Sequence, residues 1–474
     1  MRRWLSRRHP RYVRSVVYML QACEYDVSEF FRWHERVKDF RHVEKRKTLV
    51  FTSKALLLYV SGWTCALSVI AAAGYVFFSF TAPWNVLFAV LLIMETPVLT
   101  MLGVVFVLLL GQFLQKPIEM ARISEARKKL ATHPGVKIAI AGSFGKTSMR
   151  EVLKTILAEG KKVAAPIGSY NTPLGIAQFV KTLKGDEEVL VFELGEYYPG
   201  DIAKLCDMVQ PSIGVITGVN EAHLEKFGSV ENASKTIFEL AEYIGEKPLY
   251  VNAENELALK SARPSHILYS RDGGNGWKVS DARTALDGTS CTLSRRDTTI
   301  HVQSKLLGLH QVGPLVAAAD ICVRLGLSAR QIEEGITKTT AFDHRLEVRV
   351  GTDGVTTLDD SYNGNPDGVK AVIEFLGSLQ GRRWYVTPGL VEMGARKEAV
   401  HKIIGAQLAK AGIEKVVLIR NSVTPFIYEG LKNADYKGDV LWFDDALVAF
   451  AALPKMTVKG DILLIQNDWP DQYA

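Results

Sequence analysis

Five cysteines in 474 residues, with no CxxC pair and no histidine at metal-ligand spacing, leave no material for a disulfide framework or a zinc site. Cys23, Cys65, Cys206, Cys291 and Cys322 lie far apart, as small apolar filler does in a reducing compartment. The chain also lacks internal repeats and low-complexity tracts, and 38 Gly and 17 Pro are ordinary numbers for its length. Collagen-like and disordered classes are thereby excluded. Charge is nearly absent between Lys54 and Lys116, where Glu95 stands alone. A basic body is lacking too. The net +6 arises in residues 1–54, which carry 14 Lys and Arg against 6 Asp and Glu, while the rest holds 43 basic and 45 acidic residues. No nucleic-acid partner is expected of such a body.

What is present starts with the uncharged stretch. Ala55 to Phe80 and Trp84 to Leu114 are each long enough for a membrane-spanning helix, which needs about 20 apolar residues. Thr81-Ala82-Pro83 reads as the turn between them, because proline cannot continue a helix. The run is too long and starts too late for a cleaved signal peptide. Arg41, Lys45, Arg46, Lys47 and Lys54 precede the pair, and Lys116, Arg122, Arg127, Lys128 and Lys129 follow it. Both flanks should therefore face the cytoplasm, giving two spans in the inner (cytoplasmic) membrane with the body of the protein inside the cell. Glu95 reads either as a functional group or as a carboxyl that is neutral and bonded to a hydroxyl of the first span or that lies near a water defect. Tyr25, Phe30, Phe31, Trp33 and Phe40, interleaved with charges, fit a helix on the anionic inner leaflet or one packed on the hairpin. Membrane lipids are thus an expected partner.

From about residue 135, short β-branched runs alternate with helical periods. Strands are expected at Val136–Ala141, Glu188–Glu193, Ile213–Val219 and Leu249–Val251, with helices such as Lys146–Ala158 and Ile202–Val209 between them. That alternation predicts a parallel sheet covered by helices. Ser265–Thr299, rich in Gly, Asp and Ser, predicts antiparallel hairpins or loops. A second α/β set has strands near Thr356–Asp359, Trp384–Thr387, Lys415–Ile419, Val440–Phe443 and Asp461–Ile465. The expected division is a basic segment (1–54), a transmembrane helical hairpin (55–115), a linker (116–134), a central P-loop α/β domain (135–343) and a Rossmann-like C-terminal α/β domain (344–474).

The chemistry begins where the strand Ile138-Ala139-Ile140-Ala141 runs into Gly142-Ser143-Phe144-Gly145-Lys146-Thr147-Ser148 and then a helix. Glycines let backbone N–H groups approach phosphates, and the helix N-terminus adds positive potential. Lys146 can reach the β- and γ-phosphates, and the Thr147 hydroxyl can ligate Mg²⁺. Ile140 occupies the place of the first glycine of the longer phosphate-loop pattern, so this is the shorter GxxGKT form. Glu193 ends a strand in Val191-Phe192-Glu193-Leu194-Gly195, and His223 follows another. A carboxylate and an imidazole at strand ends beside a phosphate loop suit one or two Mg²⁺ held against a triphosphate. Taken singly, Glu193 fits a strand-end salt bridge and His223 a helix-start hydrogen bond just as well.

These residues resemble the Mur ligases, ATP-dependent amide-forming enzymes of peptidoglycan precursor synthesis, and most of all their D-alanyl-D-alanine-adding branch. The likeness runs from about Val136 to Ile465. It adds Asn171-Thr172-Pro173-Leu174-Gly175, the run from His223 to Ser229, Asn252-Ala253-Glu254-Asn255, Gly308-Leu309-His310, His344-Arg345-Leu346-Glu347 and the run from Asp359 to Pro366. It implies ATP and Mg²⁺, an acyl phosphate formed on an acceptor carboxylate, and attack on it by an amine. Lys146, Glu193 and His223 take the catalytic roles. Gly142, Ser143, Gly145, Lys146, Thr147, Ser148, Asn255, Arg345 and Asp360 bind the nucleotide. Thr147, Glu193 and His223 hold metal, and Asn171, Thr172, Asn363 and Asn365 contact substrate. The implied partners are an envelope-precursor acceptor, lipid-linked in one reading, and an amino acid or dipeptide amine.

Four features depart from the family. The hairpin stands where the family has a uridine-nucleotide-binding domain. Ile237 occupies the place of a carbamylated lysine, with Lys235 two residues earlier. Gln311 and Pro314 replace the asparagines after Gly308-Leu309-His310. The end reads Gln466-Asn467-Asp468-Trp469-Pro470-Asp471 in place of a Lys-Gly-Ser-Arg type motif. The expected function is a membrane-anchored amide ligase of cell-envelope precursors. The alternatives are a ligase of a polyglutamate or capsule-type polymer and a catalytically weak nucleotide-binding scaffold.

Overall fold

The computed structural model describes residues 2–44, 48–168, 170–220, 227–342, 344–362, 364–390 and 393–467. They form two compact units, one ending at Ala121 and the other starting at Arg122.

The first unit is helical. Asp26 starts the helix Val27–Arg36 by accepting from the Glu29 N–H at 2.8 Å, and Thr52 does the same for Ser53–Ser79 through Ala55. The second long helix, Trp84–Thr132, runs through Pro97 and Pro117. Two of these helices are long and apolar enough to cross a membrane, judged by length and composition. The N-terminal residues do not form a separate basic arm. Val16, Val17, Met19 and Leu20 of the helix Tyr12–Ala22 are fully buried in one core with Leu58, Val104 and Leu108 of the hairpin. Phe30, Trp33 and Phe40 join that core, so of the two readings of the aromatic stretch the structure adopts packing on the hairpin.

The linker is a continuation of the second long helix as far as Thr132. Within the second unit Ile123, Ala126 and Leu130 of that helix pack on the sheet core, and Lys129 Nζ donates to the carbonyls of Val180 at 2.9 Å and Leu183 at 2.8 Å.

The central sheet has six parallel strands: β1 (Val136–Ala141), β2 (Val163–Ala164), β3 (Val189–Glu193), β4 (Ile213–Ile216), β5 (Leu249–Asn252) and β6 (Ile267–Tyr269), in the order β2-β3-β1-β4-β5-β6. Burial on both faces explains their nearly unbroken apolar runs. Helices Lys146–Leu157, Val312–Arg324 and Ala329–Thr337 cover one face, and Pro173–Val180, Asp201–Val209 and Val230–Ile244 the other. The expected strand Ile213–Val219 stops at Ile216, where Thr217 turns to donate to the Phe144 carbonyl of the phosphate loop. The expected hairpins are present as β7 (Gly273–Gly274), β8 (Trp277–Ala285), β9 (Gly288–Arg295) and β10 (Thr298–Ser304), an antiparallel sheet.

The third sheet holds β11 (Glu347–Val350), β12 (Thr356–Asp360), β13 (Arg383–Thr387), β14 (Lys415–Ile419), β15 (Asp439–Phe443) and β16 (Ile462–Gln466), in the order β11-β12-β16-β13-β14-β15. Only the edge strand β11 is antiparallel to its neighbour. All five expected strands of this set are found. The short β11, lying just after the region expected as the boundary, was not anticipated.

Candidate active site

In the central sheet β1 lies between β3 and β4, so the loop leaving β1 is flanked by the exits of both neighbours. That crevice at the strands' carboxyl ends is where parallel α/β sheets bind ligands. Gly142 (φ 145°) and Gly145 (φ 73°) take backbone conformations that side chains disfavour, and the helix Lys146–Leu157 starts directly after them. The loop is braced from β4: the Ser143 N–H donates to Gly218 O at 2.9 Å, and Thr217 Oγ1 donates to the carbonyls of Ala141 and Phe144.

Thr147 Oγ1 donates to Glu193 Oε2 at 2.9 Å, the pairing that the register Ile140↔Glu193 prepares. Asn171 Nδ2 donates to the other oxygen of Glu193 at 3.3 Å, and its backbone carbonyl accepts from the Gly195 N–H. Thr172, in contrast, caps the helix Pro173–Val180. Lys146 Nζ donates to Gly142 O and to Glu196 Oε1, the latter at 2.7 Å.

Two residues here were missed in the sequence. Arg150 is fully buried. Its guanidinium donates to Gly168 O at 2.5 Å, to Glu193 Oε2 at 3.3 Å and to Glu151 Oε1 at 2.8 Å. Glu196 is buried beside Lys146, and its Oε2 has no hydrogen-bond partner among the described residues. Burial raises its pKa, opposed by the Lys146 charge. Spacing gave the available signals: Arg150 is one helical turn after Lys146, and Glu196 lies three residues past Glu193.

A cavity of ≈ 240 Å³ opens beside the loop between the first and third sheets, walled by Phe144, Gly145, Ser148, Asn255, Gln311 and Arg345 among others. The central and C-terminal halves meet around it. Asn220 Nδ2 donates to Asn365 Oδ1 at 3.1 Å, and Arg271 Nη1 pairs with Glu374 Oε1 at 3.0 Å. Asn365 also caps the helix Pro366–Ser378. Asn255 lines the cavity, but its side chain is spent on the fold. Oδ1 accepts from the N–H groups of Val219 and Ala258, and Nδ2 donates to Val219 O.

The Arg345 guanidinium lies 4.7 Å from the centre of the Tyr362 ring, and its buried Nε has no partner among the described residues. A buried donor left open at a cavity wall suits an anionic ligand. Desolvation pushes the Asp360 carboxyl up to about 7 despite the Arg345 charge. His310, half-buried and lowered by desolvation to about 4, is neutral and meets Gln311 Nε2 at 2.9 Å. Ile237 is fully buried in the apolar core, so that position offers no ligand. His223 and Asn363 lie outside the described residues.

The hydroxyl of Thr147 and the carboxylate of Glu193 are hard oxygen donors side by side, a set that fits Mg²⁺.

Sequence profiles match in two places: the Mur ligase middle domain over residues 140–322, and the Mur ligase, glutamate ligase domain over residues 344–466. Among curated relatives, UDP-N-acetylmuramoyl-tripeptide–D-alanyl-D-alanine ligase of Mycobacterium tuberculosis is 31% identical over 294 residues, 60% of this chain and 58% of the relative. The chain thus spans 58% of the length of the first curated relatives it matches. Among solved structures, MurF from Acinetobacter baumannii superposes with a TM-score of 0.66 at 22% identity, covering 75% of this chain and 78% of that one. MurF ligase from Thermotoga maritima, in complex with ADP, gives 0.64 at 24% identity, covering 74% and 80%. These two likenesses show the fold.

Proposed function

We propose, for a chain that belongs to the Mur ligase family, that it is an ATP-dependent amide ligase of peptidoglycan precursor synthesis, adding D-alanyl-D-alanine or a similar amine to a muramyl-peptide-like acceptor. The observation that carries this reading is the convergence of Thr147, Glu193 and Lys146 on one phosphate loop. The loop amides and Lys146 bind and neutralise the phosphates of ATP. Thr147 and Glu193 would hold Mg²⁺, which supplies positive charge at the phosphates when bound. Arg150 and Asn171 fix the Glu193 carboxylate from behind. Arg345 and Asp360 bring the C-terminal half to the nucleotide, and closure keeps water from the acyl phosphate. His223 is assigned to metal, and Asn171, Asn363 and Asn365 to substrate. Positioning plus placed charge is what phosphoryl transfer requires.

The apolar hairpin supports anchoring at the cytoplasmic face of the membrane and an acceptor that is lipid-linked. Detergent-solubilised full-length protein should then turn over a lipid-linked muramyl tripeptide faster than its soluble nucleotide form. Equal rates on both would refute the lipid-linked acceptor and leave the ligase standing. The buried Ile237 favours a second reading, a nucleotide-binding scaffold with weak catalysis. ATP bound without product under any acceptor and amine pair would select it.

A further inference from the structure

The geometry points to a hairpin that dips into a single leaflet of the bilayer instead of crossing it, with the N-terminal helices seated at the anionic headgroups. The inference rests on the membrane anchoring proposed above and concerns its depth.

The N-terminal helices form a collar along one side of the hairpin. At the lower end, Gln112 Nε2 donates to Tyr25 O at 3.3 Å, and Lys54 Nζ lies 3.9 Å from the centre of the Tyr25 ring. Midway, Gly62 makes room for the collar: a Cβ there would fall 2.6 Å from Val13 Cγ1. At the upper end, Arg8 Nη2 donates to Met94 O at 2.7 Å. Pro97 lacks the N–H that the neighbouring Ile93 carbonyl would accept, so the break in the helical ladder lies one residue from this contact.

At 1.5 Å per residue, Met94 to Gln112 is about 27 Å of collared helix, and Trp84 to Met94 about 15 Å of free helix. A crossing needs about 30 Å of apolar perimeter. The collar cannot supply it. Its outer surface carries exposed Arg32, Glu35, Arg36 and Lys38, charges that hydrocarbon does not accept on a helix flank. The free tip is long enough for about one leaflet.

Three further observations agree. Trp4 and Leu5 are 48% and 56% exposed at the collar's upper end, with the Arg8 guanidinium 3.5 Å from the centre of the Trp4 ring. An exposed aromatic beside arginine is an interface anchor. Arg7, Arg8 and Arg11 give that end positive charge for anionic lipid. Glu95, mid-bilayer if the hairpin crosses, stands instead next to Met94 at headgroup level and is exposed there. On the collared length, exposed Leu57, Val60, Phe106 and Phe113 alternate with the covered Ala55, Leu58, Val104 and Leu108. The hairpin therefore enters obliquely, with this apolar face toward the leaflet and the collar toward water.

The test uses the full chain in a bacterial expression host, with Cys65→Ala to remove the half-buried native thiol and a new thiol from either Thr81→Cys at the tip or Arg11→Cys at the collar. A membrane-impermeant maleimide is applied to intact spheroplasts and then to opened ones. The dip predicts both proteins in the membrane fraction, Arg11→Cys labelled only after opening, and Thr81→Cys labelled in neither condition. A bimane attached to the thiol of the Thr81→Cys variant before reconstitution should be quenched more by a nitroxide deep in the acyl chains than by one at the headgroup. Labelling of Thr81→Cys in intact spheroplasts would establish a crossing and overturn the dip while keeping the anchor. Labelling of Thr81→Cys only after opening would show the tip uninserted and overturn the dip. Recovery of the chain in the soluble fraction would overturn the anchor itself.

Discussion

Lys146 Nζ meets Glu196 Oε1 at 2.7 Å, so a buried carboxylate neutralises the cation that the phosphate loop presents to its ligand. Under the ligase reading proposed above, the phosphates of ATP compete with Glu196 for Lys146 when the nucleotide binds.

Glu196→Gln keeps a hydrogen-bond acceptor for Lys146 and removes the charge. The nucleotide-free protein should lose about 1–3 kcal/mol of stability, the cost of leaving a buried charge poorly paired. ATP should bind more tightly, because the competing anion is gone. Thermal melting and titration calorimetry read the two effects. Weaker ATP binding would mean that the carboxylate assists the nucleotide.

Lys146→Ala removes the charge at the transferring phosphoryl group. Ligation should fall by about 10²–10³-fold, as when a single charge-stabilising donor is removed. Circular dichroism should remain that of the parent, since the helix Lys146–Leu157 keeps its core residues Met149, Leu153 and Ile156.

Asp360 supplies a pH dependence. An unfolded carboxyl titrates near 3.9, and the folded one at about 7. The folded protein therefore keeps a proton that the unfolded chain has lost. The stabilisation is complete below the unfolded value and disappears as pH rises through about 7. Nucleotide-free protein should melt lower at pH 8 than at pH 6, and Asp360→Asn should flatten that difference. An unchanged slope in the variant would assign the titration to another group.

Asn220→Ala breaks the bond to Asn365 but leaves Asn365 Oδ1 to cap its helix through the Gly368 N–H at 2.9 Å. The KM for ATP should rise by about 2- to 10-fold, one ordinary hydrogen bond's worth, with the melting temperature nearly unchanged. A large loss of stability with no change in KM would mean that the bond serves folding alone.

Much of this was legible in the sequence. The strand–glycine–lysine run located the phosphate loop because glycine backbone freedom and a helix start are local properties. Glu193 came from a strand end and Asn171 from the family resemblance, and the structure joins them. Other features depend on tertiary placement and could not be read locally. Arg150 drew no notice, because only the folded chain encloses it between Gly168, Glu151 and Glu193. Asn255 carried a binding assignment, yet its side chain braces Val219 and caps a helix. The helix Tyr12–Ala22, whose one charged residue is Arg14, shows no polar face to mark its period, and only the hairpin shows which side is covered.

The most direct test of the ligase reading is ADP release by detergent-solubilised full-length protein, given a muramyl-tripeptide precursor and D-alanyl-D-alanine, with the product weighed by mass spectrometry. ADP release should require both substrates, and the product mass should equal their sum less one water. Release of ADP indifferent to both substrates, with no such product, would contradict it.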